Sequence, residues 1–229
     1  MIAKNKLRSF SEYSLAFIQE HNDGSNLSEL FFDAIDNSQD NCAIFINKLK
    51  EIKKQTKLDL DFFYDSDPAA NSKEEIKLAY PGFRTIGIYR ISHVLYVLGY
   101  VIHARYLSEV AHSETGIDIH PGATISYPFF IDHGTGIVIG QTCVIGQKVK
   151  IYQSVTLGAI SLSNAEKLRG VVRHPQIGNN VTIYAGASLL GPIHIGDNVT
   201  IGSNVFLTED VPSNTKVIID KPQLIYINK

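Results

Sequence analysis

Two cysteines, Cys42 and Cys143, are all that the 229-residue sequence holds, too few for a disulfide framework. Cys143 falls in a small-residue position of the repeat described below and is expected to be a buried structural thiol. Charge of one sign is also missing: 21 lysines and arginines against 23 acidic residues leave a formal charge of −2. That balance offers no basic excess for nucleic acid or an anionic membrane. No apolar stretch approaches the roughly 20 residues needed to cross a bilayer, and the basic N-terminal segment has no uninterrupted apolar run. These absences point to a cytoplasmic protein with neither nucleic-acid nor membrane partners. What remains, at 44% hydrophobic residues, is enough to bury a globular core.

An internal period divides the chain near residue 115. Beyond it, aliphatic residues recur in sixes at Ile119, Ile125 and Ile131, at Ile139, Ile145, Ile151 and Leu157, and at Ile177, Ile183, Leu189, Ile195, Ile201 and Leu207. Glycine directly follows several of them, and a small or β-branched residue commonly sits four places on. This spacing predicts a parallel β-helix in which each six supplies a short strand and a corner, three sixes closing one triangular coil. Inward aliphatics stack coil on coil, and glycine and asparagine serve corners where positive φ is wanted. A sandwich of hairpins needs period-two alternation and does not account for the sixes.

The first half has helical grammar instead. Apolar spacings of three and four predict helices over 9–21, 27–37, 41–56, 72–79 and 83–111, with capping candidates at Asn26, Asp40 and Asn71 and a break at Pro81-Gly82. The last helix is apolar over most of its circumference, which predicts packing on several sides. The fold class is therefore α+β, with units at 1–112 (helical), 113–215 (β-helix) and 216–229 (tail).

Function in a solenoid is sought where the repeat is interrupted, because a regular coil spends its residues on stacking. Ile131 and Ile139 stand eight apart, and the excess holds Asp132-His133-Gly134-Thr135-Gly136. A longer loop leaves after Leu157 and returns through Arg173-His174-Pro175 to Ile177. Each break thus displays one histidine beside a charged residue. Acyl transfer to an alcohol needs a base for the hydroxyl proton, and neutral histidine is suited to that near pH 7. A carboxylate behind the imidazole would fix its tautomer, and both Asp118 and Asp132 are candidates. The remaining histidines read as packing or surface residues.

These segments carry a family resemblance. Gly116-Ile-Asp-Ile-His-Pro-Gly-Ala, Phe130-Ile-Asp-His-Gly-Thr-Gly-Ile, Tyr152-Gln-Ser-Val-Thr-Leu-Gly and Arg173-His-Pro, in that order, closely resemble bacterial and plant serine acetyltransferases. With Asp67-Pro68-Ala69 and Gly82-Phe83…Tyr89-Arg90-Ile91 the similarity covers about residues 64–212. The resemblance implies a left-handed coil and transfer of acetyl from acetyl-CoA to the hydroxyl of L-serine, a step of cysteine biosynthesis. It implies His133 as general base with Asp118 as its carboxylate partner. Asp67, Asp132, Arg173 and His174 match the serine-binding set, and Gly158, Ala159 and Ala185 match positions along the pantetheine and thioester. Direct attack by the alkoxide requires neither an acyl-enzyme nor a metal. The family further implies a homotrimer or dimer of trimers, with active sites between subunits and cysteine as an inhibitor.

Three departures stand out. The loop after Leu157 lacks the family's usual glycine-rich stretch, so CoA contacts from residues 160–172 are not assigned. The first sixty residues do not follow the common helical domain, and the C-terminus lacks the usual ending. Many relatives bind O-acetylserine sulfhydrylase through a C-terminal isoleucine and its carboxylate. Here Ile227-Asn228-Lys229 puts a hydrated cation in that place, and no tight complex through the tail is expected. The rival readings are a hexapeptide acyltransferase acting on a sugar or xenobiotic hydroxyl, a γ-carbonic-anhydrase-like zinc lyase using His120, His133 and His174, and a non-catalytic scaffold.

Overall fold

The structure, a computed structural model, describes residues 3–160, 166, 169–220, 225 and 227. Among them, six helices precede fourteen short strands. The helices are α1 (Lys4–Ile18), α2 (Leu27–Ala34), α3 (Gln39–Ser66), α4 (Lys73–Ala79), α5 (Pro81–Val97) and α6 (Val101–Thr115). Two of the three caps fall one or two residues from where the sequence placed them. Ser38 Oγ accepts from Asn41 N at 3.3 Å and Ser72 Oγ from Glu75 N at 3.1 Å, in place of Asp40 and Asn71. Asn26 is the N-cap of α2 but makes no side-chain cap bond.

The helix expected over 83–111 is two. Gly99, with φ +88°, turns the chain between α5 and α6, and α6 packs along α5. The apolar run continues across the turn and hides it, because Val97, Val101 and Ile102 keep the sequence apolar there although all three are exposed. Twelve of the residues of α5 are buried, as its apolar circumference requires. Among the described residues no helix is long and apolar enough to cross a membrane.

The second half is a parallel β-helix, matching the left-handed hexapeptide fold expected of it. Its first coil holds β1 (Asp118–Ile119), β2 (Thr124–Ile125) and β3 (Phe129–Ile131), and its second β4 (Val138–Ile139), β5 (Val144–Ile145) and β6 (Val149–Ile151). The third holds β7 (Thr156–Gly158), β8 (Gln176–Ile177) and β9 (Thr182–Ile183), and the fourth β10 (Ser188–Leu190), β11 (His194–Ile195) and β12 (Thr200–Ile201). A last coil is formed by β13 (Phe206–Leu207), a bridge at Val211 and β14 (Lys216–Val217). Three parallel sheets result: a first face β1-β4-β7-β10-β13, a second β2-β5-β8-β11, and a third β3-β6-β9-β12-β14. The register stacks the repeat anchors directly, Ile119 on Ile139 on Leu157 on Leu189 on Leu207 along the first face. All thirteen anchors are buried, so the period read in the sequence is the core. Corner residues Asn180, Asn198, Asn204 and Asn214 take φ of 55 to 61°, the left-handed region that asparagine tolerates better than most residues.

The helices close the open end of this prism. Phe63 and Phe83 join the core cluster of the β-helix, and the Phe63 ring meets Phe130 edge-on at 4.8 Å. Tyr89 Oη donates to Ala123 O at 2.6 Å and accepts from Ile125 N at 3.1 Å, supplying the first coil with partners that a preceding coil would otherwise give. The start of α5 lies against β3: a Cβ on Gly82 would stand 2.4 Å from Ile131 O. That contact sets the helix end beside the residues that follow Ile131.

Candidate active site

Two edges of the prism carry the residues singled out from the sequence. Along the edge between the third and first faces run Asp132–Gly136, Tyr152–Ser154 and Tyr184–Gly186. Along the edge between the first and second faces run His120–Gly122, Gly140–Thr142 and the returning Arg173–Pro175.

On the first of these edges the eight-residue spacing becomes a bulge. Asp132 N donates to Ile151 O at 3.0 Å, still in the ladder, whereas Gly136 N reaches Gly116 O at 2.8 Å. Between them His133 takes φ +55° and leaves its side chain 72% exposed. Its Nδ1 stands 3.7 Å from Asp132 Oδ1, close enough for charge attraction but too long for a hydrogen bond. Asp67, the residue that ends α3, adds a second carboxylate. Its Oδ1 accepts from Ala69 N at 2.8 Å and its Oδ2 from Tyr80 Oη at 2.6 Å. The hydrogen bond to Asp67, then burial, then the charges of Asp67, Glu75 and Asp132 push the Tyr80 hydroxyl up to about 12. Tyr152 is also raised, by burial first and then by Tyr184, Asp132 and Asp67, and its ring stacks on Tyr184 at 5.1 Å. Asp67, Asp132 and His133 thus share one neighbourhood, with Tyr80 and Tyr152 around them, and Ala185 lies on the same edge.

The second edge gathers Arg173 and His174. Arg173 Nη2 donates to Gln141 Oε1 at 2.6 Å, and Gln141 Nε2 donates to Tyr96 Oη at 2.9 Å. His174 is only 7% exposed, and burial first, then the Arg173 charge, pushes its imidazole down to about 4. His120 falls to about 4 as well, again by burial first, then through Arg105, Arg173 and His174. Gly158 lies at the end of β7, where its carbonyl accepts from Gly191 N at 3.0 Å, and Ala159 follows it. Most of the intervening loop, residues 161–165 and 167–168, lies outside the described residues, as do Asn228 and Lys229 of the tail.

Asp118 is the residue that one chain does not join to His133. It opens β1 on the first face, and its Oδ1 stands 3.8 Å from Arg105 Nη1 of α6, which also pairs with Glu109. Among the described residues, the carboxylate in ion-pair range of His133 is Asp132. Nor does one chain gather His120, His133 and His174, since the first and last share one edge and His133 occupies another. The one group of three metal-capable side chains among the described residues is Glu109, His112 and Asp118.

Sequence reasoning missed Tyr80, Gln141 and Thr142. Each acts through a hydrogen bond to a singled-out residue from 13 to 32 positions away, and no spacing rule reports such a contact.

Residues 174–209 match the family model of the bacterial transferase hexapeptide (six repeats). A plasmid-encoded serine acetyltransferase of Synechococcus elongatus is 53% identical over 174 residues, 75% of this chain but 54% of that protein, so the match spans about half of its length. A serine acetyltransferase of Staphylococcus aureus is 45% identical over 165 residues, 72% of this chain and 75% of that one. Among solved structures, serine acetyltransferase isoform 3 of Entamoeba histolytica in complex with cysteine aligns with a TM-score of 0.79 at 37% identity, covering 97% of this chain and 74% of that one. The Neisseria gonorrhoeae serine acetyltransferase in complex with serine gives 0.67 at 29% identity, over 94% and 96% of the two chains. The Brucella abortus serine acetyltransferase in complex with coenzyme A gives 0.66 at 27%, over 92% and 93%.

Proposed function

Since the chain belongs to the serine acetyltransferase family of hexapeptide transferases, we infer that it moves the acetyl group of acetyl-CoA to the hydroxyl of L-serine. The observation that carries this reading is the exposed His133 imidazole beside two carboxylates, Asp132 at 3.7 Å and Asp67 in the same neighbourhood. A base flanked by anions suits an acceptor that brings a cationic ammonium along with its hydroxyl. A sugar hydroxyl offers no such cation, and the relatives at 45–53% identity are serine acetyltransferases, which favours acyl transfer over the zinc-lyase reading.

In this reading Asp67 and Asp132 hold the ammonium of serine, and Arg173 with His174 its carboxylate. His133 takes the hydroxyl proton as the oxygen attacks the thioester carbon, giving a tetrahedral intermediate. Backbone amides at Gly158, Ala159 and Ala185 lie along the pantetheine and thioester and stabilise the oxyanion. Collapse expels CoA thiolate, which recovers the proton from His133. No acyl-enzyme forms, and no step calls for a metal. Asp118 supports the imidazole once it turns from Arg105.

The two halves of the site lie on different edges of one prism, so a second copy must supply one of them. A trimer, alone or paired with another, does so by setting the third-to-first edge of one copy against the first-to-second edge of the next. Cysteine, which differs from serine only in thiol for hydroxyl, competes at the same contacts. Free CoA released from acetyl-CoA, measured with a panel of amino-acid and sugar acceptors, tests the function. Release that depends on serine supports it, and equal release without serine or with sugars overturns it. Sedimentation at assay concentration tests the assembly, and an active monomer removes it.

A further inference from the structure

The strongest unassigned cluster is the grip of one coil corner on the returning loop. His174 Nδ1 lies 3.1 Å from Thr142 N and 2.8 Å from Thr142 Oγ1. A backbone amide can only donate, so Nδ1 is the lone-pair nitrogen and the proton of the neutral ring resides on Nε2. The direction of the hydroxyl follows. Thr142 Oγ1 accepts from Arg173 N at 3.0 Å and from His174 N at 3.2 Å, which occupies its lone pairs. Its own proton is then left for Nδ1. One threonine therefore fixes the backbone of both loop residues and donates twice to one ring nitrogen.

The ring is also held from its face. A Cβ on Gly140 would stand 2.0 Å from His174 Cδ2 and 2.2 Å from Nε2, so the imidazole lies flat against the corner backbone, and no side chain longer than hydrogen fits beneath it. Among the described residues Nε2–H has no acceptor, while burial keeps the ring neutral. A neutral donor with a fixed direction can bind an acceptor oxygen but cannot take a proton.

We propose that Thr142 is a positioning residue of the acceptor site, locking His174 as an Nε2–H tautomer that donates to the acceptor's carboxylate beside the Arg173 guanidinium. This rests on the reading that Arg173 and His174 hold that carboxylate. It also divides the work of the two histidines: His133 alone moves the proton, and His174 only orients. The bland alternative, that Thr142 merely ties down a loop, predicts lost stability without a selective effect on the acceptor.

The test compares Thr142→Val, which keeps the shape and removes the hydroxyl, with Thr142→Ser, which keeps the hydroxyl. For Thr142→Val the serine KM is expected to rise about tenfold, the scale of one lost hydrogen bond to a well-placed group, while acetyl-CoA KM and kcat stay within about twofold. Thr142→Ser is expected to restore most of the serine KM. Equal effects of the two variants, or losses spread over kcat and both KM values, overturn the proposal. A second measurement needs no variant: long-range ¹⁵N–¹H correlation of the unsubstituted protein at pH 7 should show His174 in the neutral Nε2–H form, and an Nδ1–H pattern overturns it. His174→Ala separates the premise from the proposal. If it leaves serine KM unchanged, the carboxylate-binding reading fails, and the ¹⁵N spectrum still decides whether the clamp exists.

Discussion

The Arg90 guanidinium, on α5, is held by both carboxylate oxygens of Asp59 on α3, at 2.7 and 3.0 Å from Nη2 and 2.9 Å from Nε. Both side chains are buried, 5% and 1% exposed. Asp59 Oδ1 also accepts from Phe129 N at 2.9 Å, and Arg90 Nη1 and Nη2 reach Ile125 O and Ser126 O at 3.4 and 3.5 Å. The pair therefore joins two helices to the first coil, and every charge in it has a partner.

Removing one member leaves the other buried and uncompensated. Asp59→Asn is expected to cost about 3–5 kcal/mol, the scale for breaking a buried pair from one side. Urea unfolding measures it. A loss below about 1 kcal/mol would mean that the pair is neutralised or replaced by water.

His133→Asn should reduce kcat by about 10²–10⁴-fold, the usual contribution of a positioned base, with serine and CoA binding retained. Steady-state kinetics with calorimetric binding separates the two. A variant with near-native kcat removes His133 from the mechanism.

How much of this was legible in the sequence follows from the range of each interaction. The thirteen core anchors were readable because a solenoid repeats its contacts at a fixed sequence separation. The bulge at His133 was readable for the same reason, as an eight where a six belongs. The turn at Gly99 was not, because apolar residues run on across it from Val94 to Ile102 and one glycine is a weak signal against a continuous run. The caps were misplaced onto Asp40 and Asn71 because serine, aspartate and asparagine cap by the same bond, and only backbone geometry picks Ser38 and Ser72. Asp59, Tyr80 and Thr142 were invisible. Each acts through a partner that the fold, not the local chain, brings near.

Gly82→Ala tests whether the helix end sets the site. The added Cβ meets Ile131 O at 2.4 Å and Ile131 Cβ at 3.0 Å, and backbone cannot swing aside as a side-chain tip does. A loss of about 1–3 kcal/mol is expected from the overpacking. Because Ile131 precedes Asp132, serine KM should rise too. Reduced stability with unchanged serine KM would show that the bulge keeps its geometry without α5.

Acid should destabilise the fold through His120 and His174. Both imidazoles are lowered from 6.5 to about 4, by burial first. In that interval the unfolded chain binds protons that the folded chain refuses, so stability is fully present above about 6.5 and falls as pH drops toward 4. Thermal melts between pH 7 and pH 4 should show the decline, and His174→Gln should flatten it. A slope that His174→Gln leaves unchanged would assign the decline to other groups.

Tyr80→Phe asks whether Asp67 needs its second donor. Asp67 Oδ1 is tied to Ala69 N, and Oδ2 is held by the Tyr80 hydroxyl at 2.6 Å. Tyr80 itself is fixed where α4 ends and α5 begins, with its ring 6.5 Å from that of Phe63. Phenylalanine preserves this packing and deletes only the hydroxyl, which frees the carboxylate to rotate. If Asp67 binds the ammonium of serine, its loss of aim should raise serine KM by about three- to tenfold, the range for one hydrogen bond to a charged group partly replaced by water. kcat should change little, because the ammonium contact is present before the transition state as well as in it. Acetyl-CoA KM should not move. Kinetics with serine and acetyl-CoA varied in turn provide the check: an effect on acetyl-CoA KM alone would move Asp67 out of the acceptor site, and no effect on either would leave Ala69 N as the only donor Asp67 requires.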